Sequence, residues 1–149
     1  MTIFKRLFTN DRTDISGFFA TLLVGEEQAL FIALFSDGTI NRMGTGSITN
    51  LEKDLFIGKT SPDVFESLKS MISNDLHKWF NSQHSDPAPK GKICKLTLGL
   101  RQRDGKESMG IWQYGSESLS LPLEVSELVL KAIEITNPWY EERKKATKR

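Results

Sequence analysis

Two histidines and one cysteine are the side chains in this sequence best suited to acid/base, nucleophilic or metal chemistry. His77 falls on the polar side of a predicted helix, and His84 lies in the loop that follows it. Cys94 alternates in phase with three leucines of a predicted strand, so we expect a buried thiol with a raised pKa and low reactivity. A zinc site needs three or four convergent ligands. The sequence therefore predicts no nucleophilic pair, no metal and no cofactor.

Dispersed polar residues are the remaining source of a catalytic site. The acidic residues lack the close pairing that raises one carboxyl pKa for acid/base work. The glycines that follow Arg42 are not succeeded by the Gly-Lys-Ser/Thr of a phosphate loop. No catalytic residue is assigned, and one alternative is a small enzyme whose site assembles in the fold from Arg42, Asp63, Glu66 and His77.

Aromatic and cationic side chains coincide in the second of two predicted hairpins. Asp104-Gly105 is placed at the centre of a two-residue turn, which pairs Thr97 with Trp112 and Lys95 with Tyr114. Leucines then face the core, and both rings share the opposite face with the cations. The predicted binding surface consists of Trp112, Tyr114, Lys95, Arg101, Arg103 and Lys106.

Rings among cations are typical of two kinds of binding surface. Trp, Tyr and Arg dominate protein-binding hot spots, and a sheet that presents aromatic rings beside Lys and Arg can bind single-stranded nucleic acid. A net charge of +1 is a weak electrostatic footprint for nucleic acid, which favours a protein partner. The competing interpretation is that the amphipathic residues 3–8, or Trp139 and Tyr140, cover this face and bury its rings.

Composition sets the class of protein. A chain of 149 residues with 38% hydrophobic and 26% charged residues is long enough for one globular domain and is not typical of a disordered chain. A single cysteine excludes an intramolecular disulfide and points to a reducing cytoplasm. The N-terminal residues lack the apolar region of a signal peptide, and the longest apolar run, residues 29–35, is too short to span a bilayer. We therefore expect a cytoplasmic protein, with a homodimer left open.

Hydrophobic periodicity predicts the elements that position these residues. Strands are expected at 17–24, 29–35, 40–44 and 92–102, with a second two-residue turn at Asp37-Gly38 that pairs Ala33 with Arg42. A further short strand is expected around Leu51, Leu55, Phe56 and Ile57. Ser61 and Pro62 predict the start of a helix whose apolar stripe reaches residue 80. Residues 81–92 are interpreted as a loop, and a second helix is expected to end before Pro138.

The predicted fold is a single α+β domain over residues 1–140, followed by a charged tail, 141–149, that is disordered or a frayed helical extension. An antiparallel sheet of about five strands carries two amphipathic helices on one face, in the order (α)βββ(β)α-ββα. In element order and length alone, this layout resembles small secretion-type chaperones and several small bacterial immunity proteins. The resemblance implies a partner-binding protein, although secretion chaperones are usually acidic and this chain is not. The missing catalytic constellation and the Trp112/Tyr114 face predict a non-enzymatic interaction module.

Overall fold

The computed structural model describes residues 15–72, 76, 78–118 and 121–147. Within these residues the chain forms seven strands and two helices, which confirms the α+β class. The strands are β1 (Ile15–Val24), β2 (Glu27–Phe35), β3 (Thr39–Met43), β4 (Phe56–Lys59), β5 (Ser82–Ser85), β6 (Ile93–Gln102) and β7 (Glu107–Gly115). The helices are α1 (Pro62–Lys69) and α2 (Leu123–Thr147). Residues 3–8 and His77 lie outside the described residues.

The strands form one mixed sheet in the order β4-β3-β2-β1-β6-β7-β5. All neighbours are antiparallel except β5, which runs parallel to β7. The prediction of about five antiparallel strands was therefore wrong in number and at this edge. β5 lies in the segment interpreted as a loop, because Ser-Gln-His-Ser has no apolar alternation and is a strand only through its pairing with β7.

Both Asp-Gly turns close hairpins as predicted, but each loop has three residues rather than two. The amide of Gly38 donates to the carbonyl of Phe35 at 3.0 Å, and Gly38 has a positive φ of 91°. The second turn repeats this arrangement, since the amide of Gly105 donates to Gln102 at 2.9 Å and its φ is 90°. A glycine in this conformation after two turn residues is the common three-residue hairpin, which adds one residue to the loop.

One added loop residue shifts the register of each hairpin by one. Ile32 lies opposite Arg42 and Leu96 lies opposite Trp112, whereas the predicted partners were Ala33 and Thr97. Because strand side chains alternate between faces, this shift moves a whole strand's side chains to the other face of the sheet. Arg42 and Trp112 therefore belong to the face that carries the core.

The core joins one face of the sheet to both helices. We call this the core face, and the opposite side of the sheet the open face. The main buried cluster combines Phe18, Ala20, Leu30, Ile32, Leu34, Ile40, Leu96, Leu98, Leu100 and Trp112 of the sheet with Phe65 and Leu68 of α1 and Val125, Leu128 and Ala132 of α2. The Ser61 hydroxyl caps α1 by accepting a hydrogen bond from the amide of Asp63 at 3.2 Å, as the Ser-Pro start predicts.

Helix α2 continues through Pro138, so the prediction that it ends there was wrong. Pro138 and Glu134, whose carbonyl loses its donor, are both exposed, and solvent can replace the missing hydrogen bond. Contacts beyond the proline hold the helix in place, because Trp139 donates to the carbonyl of Lys59 and Tyr140 is buried. Residues 141–147 are helical, and whether they fray stays a prediction.

Among the described residues, neither α1 nor α2 is both long enough and apolar enough to cross a lipid bilayer.

Candidate binding surfaces

Trp112 lies in the interior and not on the predicted surface. Its side chain is 2% exposed and stacks on His84, with ring centroids 5.4 Å apart and planes 17° from parallel. Trp79 meets the same imidazole edge to face at 5.3 Å. The placement of Trp112 beside exposed cations was therefore wrong, because the three-residue turn puts it opposite Leu96.

Tyr114 lies on the core face as well. It is opposite Cys94, is half-buried and packs against both buried clusters. Burial, reinforced by the Cys94 thiol, raises the pKa of Tyr114 to about 12. Burial also raises the pKa of Cys94, in line with an unreactive thiol.

The four predicted cations remain exposed and lie apart from both rings. Lys95 and Arg101 extend from β6 on the open face, and Arg103 and Lys106 flank the β6–β7 turn. Arg101 and Arg103 line a cavity of about 470 Å³ beside the other turn, where Asp37 contributes an acidic group. The amide and hydroxyl of Thr39 and the Lys59 ammonium lower the pKa of Asp37 to about 2. The structure thus places Lys95 and Arg101 on the open face and none of the four cations beside Trp112.

The open face is rich in apolar side chains. They are Phe19, Leu23, Phe31, Phe35, Ile57, Met109 and Ile111, and neither buried cluster of the described residues contains any of them. Ile57 is 67% exposed and Met109 is 40% exposed, and the others are half-buried. The ring of Phe19 lies over Gly99, where a Cβ atom would come within 1.9 Å of its Cζ. The result is a flat apolar surface across the centre of the sheet.

A buried polar cluster on the core face was missed by sequence reasoning. Arg42 is fully buried, and its Nε donates to the carbonyl of Gly44 at 3.0 Å. Its Nη1 donates to Thr136 Oγ1 at 2.7 Å and to the carbonyl of Ile133 at 3.3 Å. The guanidinium carbon lies 4.5 Å from the centre of the Tyr140 ring. Burial lowers the pKa of Arg42. The guanidinium stays charged, because arginine is not deprotonated in proteins.

Tyr140 connects this arginine to the surface. Its hydroxyl accepts from the amide of Gly44 and donates to Glu52 Oε1, both at 2.9 Å. Lys144 completes the chain by donating to both oxygens of Glu52 at 3.0 Å. Desolvation works against the Glu52 carboxylate, but the hydrogen bonds from Lys144 and Tyr140 outweigh it and lower the pKa of Glu52 overall. Glu52, Tyr140 and Lys144 line a cavity of about 510 Å³, together with the charged side chains of Lys53, Asp54, Glu141 and Lys145.

The residues proposed for an assembled catalytic site have separate partners. Arg42 bonds to α2, Glu66 pairs with Lys69 at 3.1 Å, and the amide of Asp63 donates to the hydroxyl of Ser61 at the start of α1. No hydrogen bond or ion pair in the described ranges joins Arg42 to Asp63 or Glu66. Across the same ranges, no group of three His, Cys, Asp or Glu side chains is arranged to hold a metal ion. No protein-family model and no curated protein matches the sequence, so these surfaces are interpreted from their own geometry.

Proposed function

We propose that this chain is a non-enzymatic, cytoplasmic protein-interaction module whose open face binds a partner protein. The observation that carries the proposal is the flat apolar surface around Phe19, Phe31 and Phe35, which takes no part in either buried cluster. Apolar patches of this kind, bordered by polar groups, are typical of protein-binding sites. Both described helices pack on the core face, so neither of them covers the open face.

The charges around the open face indicate the chemistry of that partner. Lys95 and Arg101 lie six residues apart on β6, which places them about 20 Å from one another on either side of the apolar centre. Lys95 lies opposite the neutral Gln113, whereas Arg101 lies opposite Glu107. We therefore infer a partner segment with an apolar centre and an acidic residue near Lys95. Complementary charge would favour its orientation and its rate of association more than its affinity.

The experiment compares an open-face variant with a matched helix variant. Ile57→Asp/Met109→Asp places two carboxylates on the open face, and Leu130→Asp places one on α2, where the leucine is 63% exposed. Proteins captured from the native host are identified, purified and tested again for binding. We expect one purified partner to bind the unchanged chain and Leu130→Asp equally, and the open-face variant at least about tenfold more weakly.

Three results would contradict the proposal. One is the absence of any purified partner that binds, and another is equal loss of binding in both variants. The third is tight binding of a single-stranded dT20 oligonucleotide whose affinity falls steeply with added salt, because such behaviour is typical of nucleic-acid binding through cations.

A further inference from the structure

The cavity beside the β2–β3 turn lies at the corner of the sheet where both Asp-Gly turns approach the start of β1. Gly17 of β1 lies opposite Phe35 of β2 on one side and opposite Arg101 of β6 on the other. The amide of Ser36 donates to the carbonyl of Ser16 at 2.9 Å, which holds the end of β2 against the start of β1. Residues of both hairpins therefore line one cavity of about 470 Å³, a volume typical of sites for small ligands.

Gly17 allows an aromatic ring and a cation to lie together at this cavity. A Cβ atom at this position would lie 2.9 Å from Phe35 Cδ1 and 3.3 Å from Arg101 Cβ. Since glycine has no side chain, the Phe35 ring and the stem of Arg101 can approach each other across β1. Both residues line the cavity, which therefore offers an apolar surface next to a positive charge.

The negative charge at this cavity is already compensated. Asp37 is the one acidic residue among the described residues that line it. Its Oδ1 accepts from the amide of Thr39 at 2.9 Å, and its Oδ2 pairs with the Lys59 ammonium at 3.2 Å. Asp37 therefore repels an incoming anion less than a free carboxylate would.

The positive charge at this cavity is not compensated. The side chains of Arg101 and Arg103 form no hydrogen bond and no ion pair with any described residue. Glu107 lies opposite Arg101 in the sheet, but it lines a neighbouring cavity instead. Both arginines are exposed, and their long side chains can bring two guanidinium groups to one anion in the cavity that they line. The charge therefore favours an anionic ligand.

Two arginines and a hydroxyl favour a phosphate over a carboxylate. A phosphate monoester carries a charge of about −1.5 to −2 at pH 7 and offers three strong acceptor oxygens, which guanidinium groups bind in a bidentate geometry. Ser36 also lines the cavity, and its hydroxyl bonds to no described residue. A carboxylate has one charge and two oxygens, so it uses fewer of these donors.

We propose that this cavity binds a phosphate monoester, with Arg101 and Arg103 on the phosphate oxygens and the esterified group against the Phe35 ring. A flat aromatic group suits that ring best, because aromatic rings attract each other in offset-stacked and edge-to-face arrangements. The site borders the open face but does not depend on a partner protein binding there.

The amide signals of Ser36 and Gly105 in a ¹H–¹⁵N correlation spectrum provide the test, because both residues line the cavity. Gly25, in the turn at the other end of β1, is the internal reference. The probes are phenyl phosphate, methyl phosphate and benzoate at physiological salt. We expect phenyl phosphate to shift Ser36 and Gly105 saturably while Gly25 stays in place. Benzoate should bind at least about tenfold more weakly, because it uses fewer charged hydrogen bonds.

Matched variants separate a built site from general electrostatic attraction. Arg101→Met and Lys95→Met each remove one positive charge from β6 on the same face, but only Arg101 lines the cavity. Arg101→Met, like Arg103→Met, should weaken phenyl phosphate at least about tenfold, and Lys95→Met less than about twofold. Phe35→Leu should reduce the preference for phenyl phosphate over methyl phosphate.

A phosphate monoester reaches such a site either as a free small molecule or as a phosphorylated tyrosine of a protein. A pentapeptide with a central phosphotyrosine distinguishes these sources: binding at least as tight as that of phenyl phosphate identifies a phosphorylated side chain, and weaker binding identifies a small molecule. Equal affinity for phenyl phosphate and benzoate, equal weakening by Arg101→Met and Lys95→Met, or no saturable shift with either phosphate would overturn the proposal.

Discussion

The β2–β3 and β6–β7 hairpins have the same turn and the same register, yet the side chains that they bury have different surroundings in the core. Each places one large polar side chain on the core face, Arg42 in the first and Trp112 in the second. In both turns an aspartate accepts a hydrogen bond from the amide two residues later, at 2.9 Å, before the chain returns. Local turn chemistry therefore fixes which face a residue joins, and the surrounding elements decide how that residue is accommodated.

Arg42 and Trp112 have different partners because different elements cover β3 and β7. Arg42 lies under the C-terminal half of α2, which supplies a hydroxyl, a carbonyl and the ring of Tyr140. Trp112 lies near the β5 edge, where its ring stacks on His84, and the other contact of that imidazole is the ring of Trp79. Among the described residues, each side chain nevertheless keeps one buried nitrogen without a hydrogen-bond acceptor, Arg42 Nη2 and Trp112 Nε1. The arginine is held mainly by hydrogen bonds and the tryptophan mainly by packing.

Truncating the tryptophan should have the largest effect. Trp112→Ala removes a side chain that is 2% exposed and leaves a cavity between His84 and Leu96, so we expect a loss of about 3–5 kcal/mol in the free energy of unfolding. Trp112→Phe is the control and should cost far less, because a ring remains and the deleted N–H has no partner. Urea unfolding measures both, and a loss below about 1 kcal/mol for Trp112→Ala would contradict burial in the core.

Replacing the arginine should cost less than truncating the tryptophan. Arg42→Met keeps apolar bulk but removes the hydrogen bonds to Gly44, Ile133 and Thr136, for which we expect about 1–3 kcal/mol. Relief of the desolvation of a buried charge offsets part of this loss. Arg101→Met, at an exposed position of β6, is the matched control and should leave the unfolding midpoint unchanged. Equal stability of both variants would show that hydrogen bonds do not hold Arg42.

The stability that the cluster of Arg42, Tyr140 and Glu52 provides should also depend on pH, because Glu52 titrates. The pKa of this carboxyl is lowered in the folded chain from its ordinary value of 4.5, so its contribution to stability is present above that pH and is lost as pH falls through the folded pKa. The stability difference between the unchanged chain and Glu52→Gln should therefore be larger at pH 7 than at pH 3. Asp37 titrates in both proteins, and its contribution cancels in this difference. A stability difference that grows as pH falls would show that the pKa of Glu52 is raised in the folded chain and not lowered.

The smallest effect is expected at the end of α2. Lys144 is 21% exposed and pairs with Glu52, so Lys144→Met should cost about 0.5–1 kcal/mol at low salt and less at high salt. Lys145→Met is the control, because Lys145 is exposed and forms no ion pair with any of the described residues. Equal thermal midpoints for the two variants at low salt would indicate that this end of the helix is frayed.

The sequence predicted the α+β class, both hairpins and the capped start of α1, because these depend on local patterns. The register could not be predicted in the same way, because Asp-Gly is compatible with loops of two and of three residues. Only the three-residue loop places Leu96 opposite Trp112. β5 was missed because its pairing with β7 is not local. The cluster of Arg42, Tyr140 and Glu52 joins segments almost a hundred residues apart, and no spacing in the sequence signals it.

The central claim is that the three-residue turn places Trp112 on the core face and Lys95 and Arg101 on the open face. Proton contacts between the two strands of the β6–β7 hairpin test this claim most directly. Residues directly opposite in an antiparallel pair have Cα atoms about 4.5–5.5 Å apart, close enough for nuclear Overhauser effects between their backbone protons. We expect contacts that pair Leu96 with Trp112 and Thr97 with Ile111. Contacts that pair Thr97 with Trp112 instead would put the indole on the open face and contradict its placement in the core.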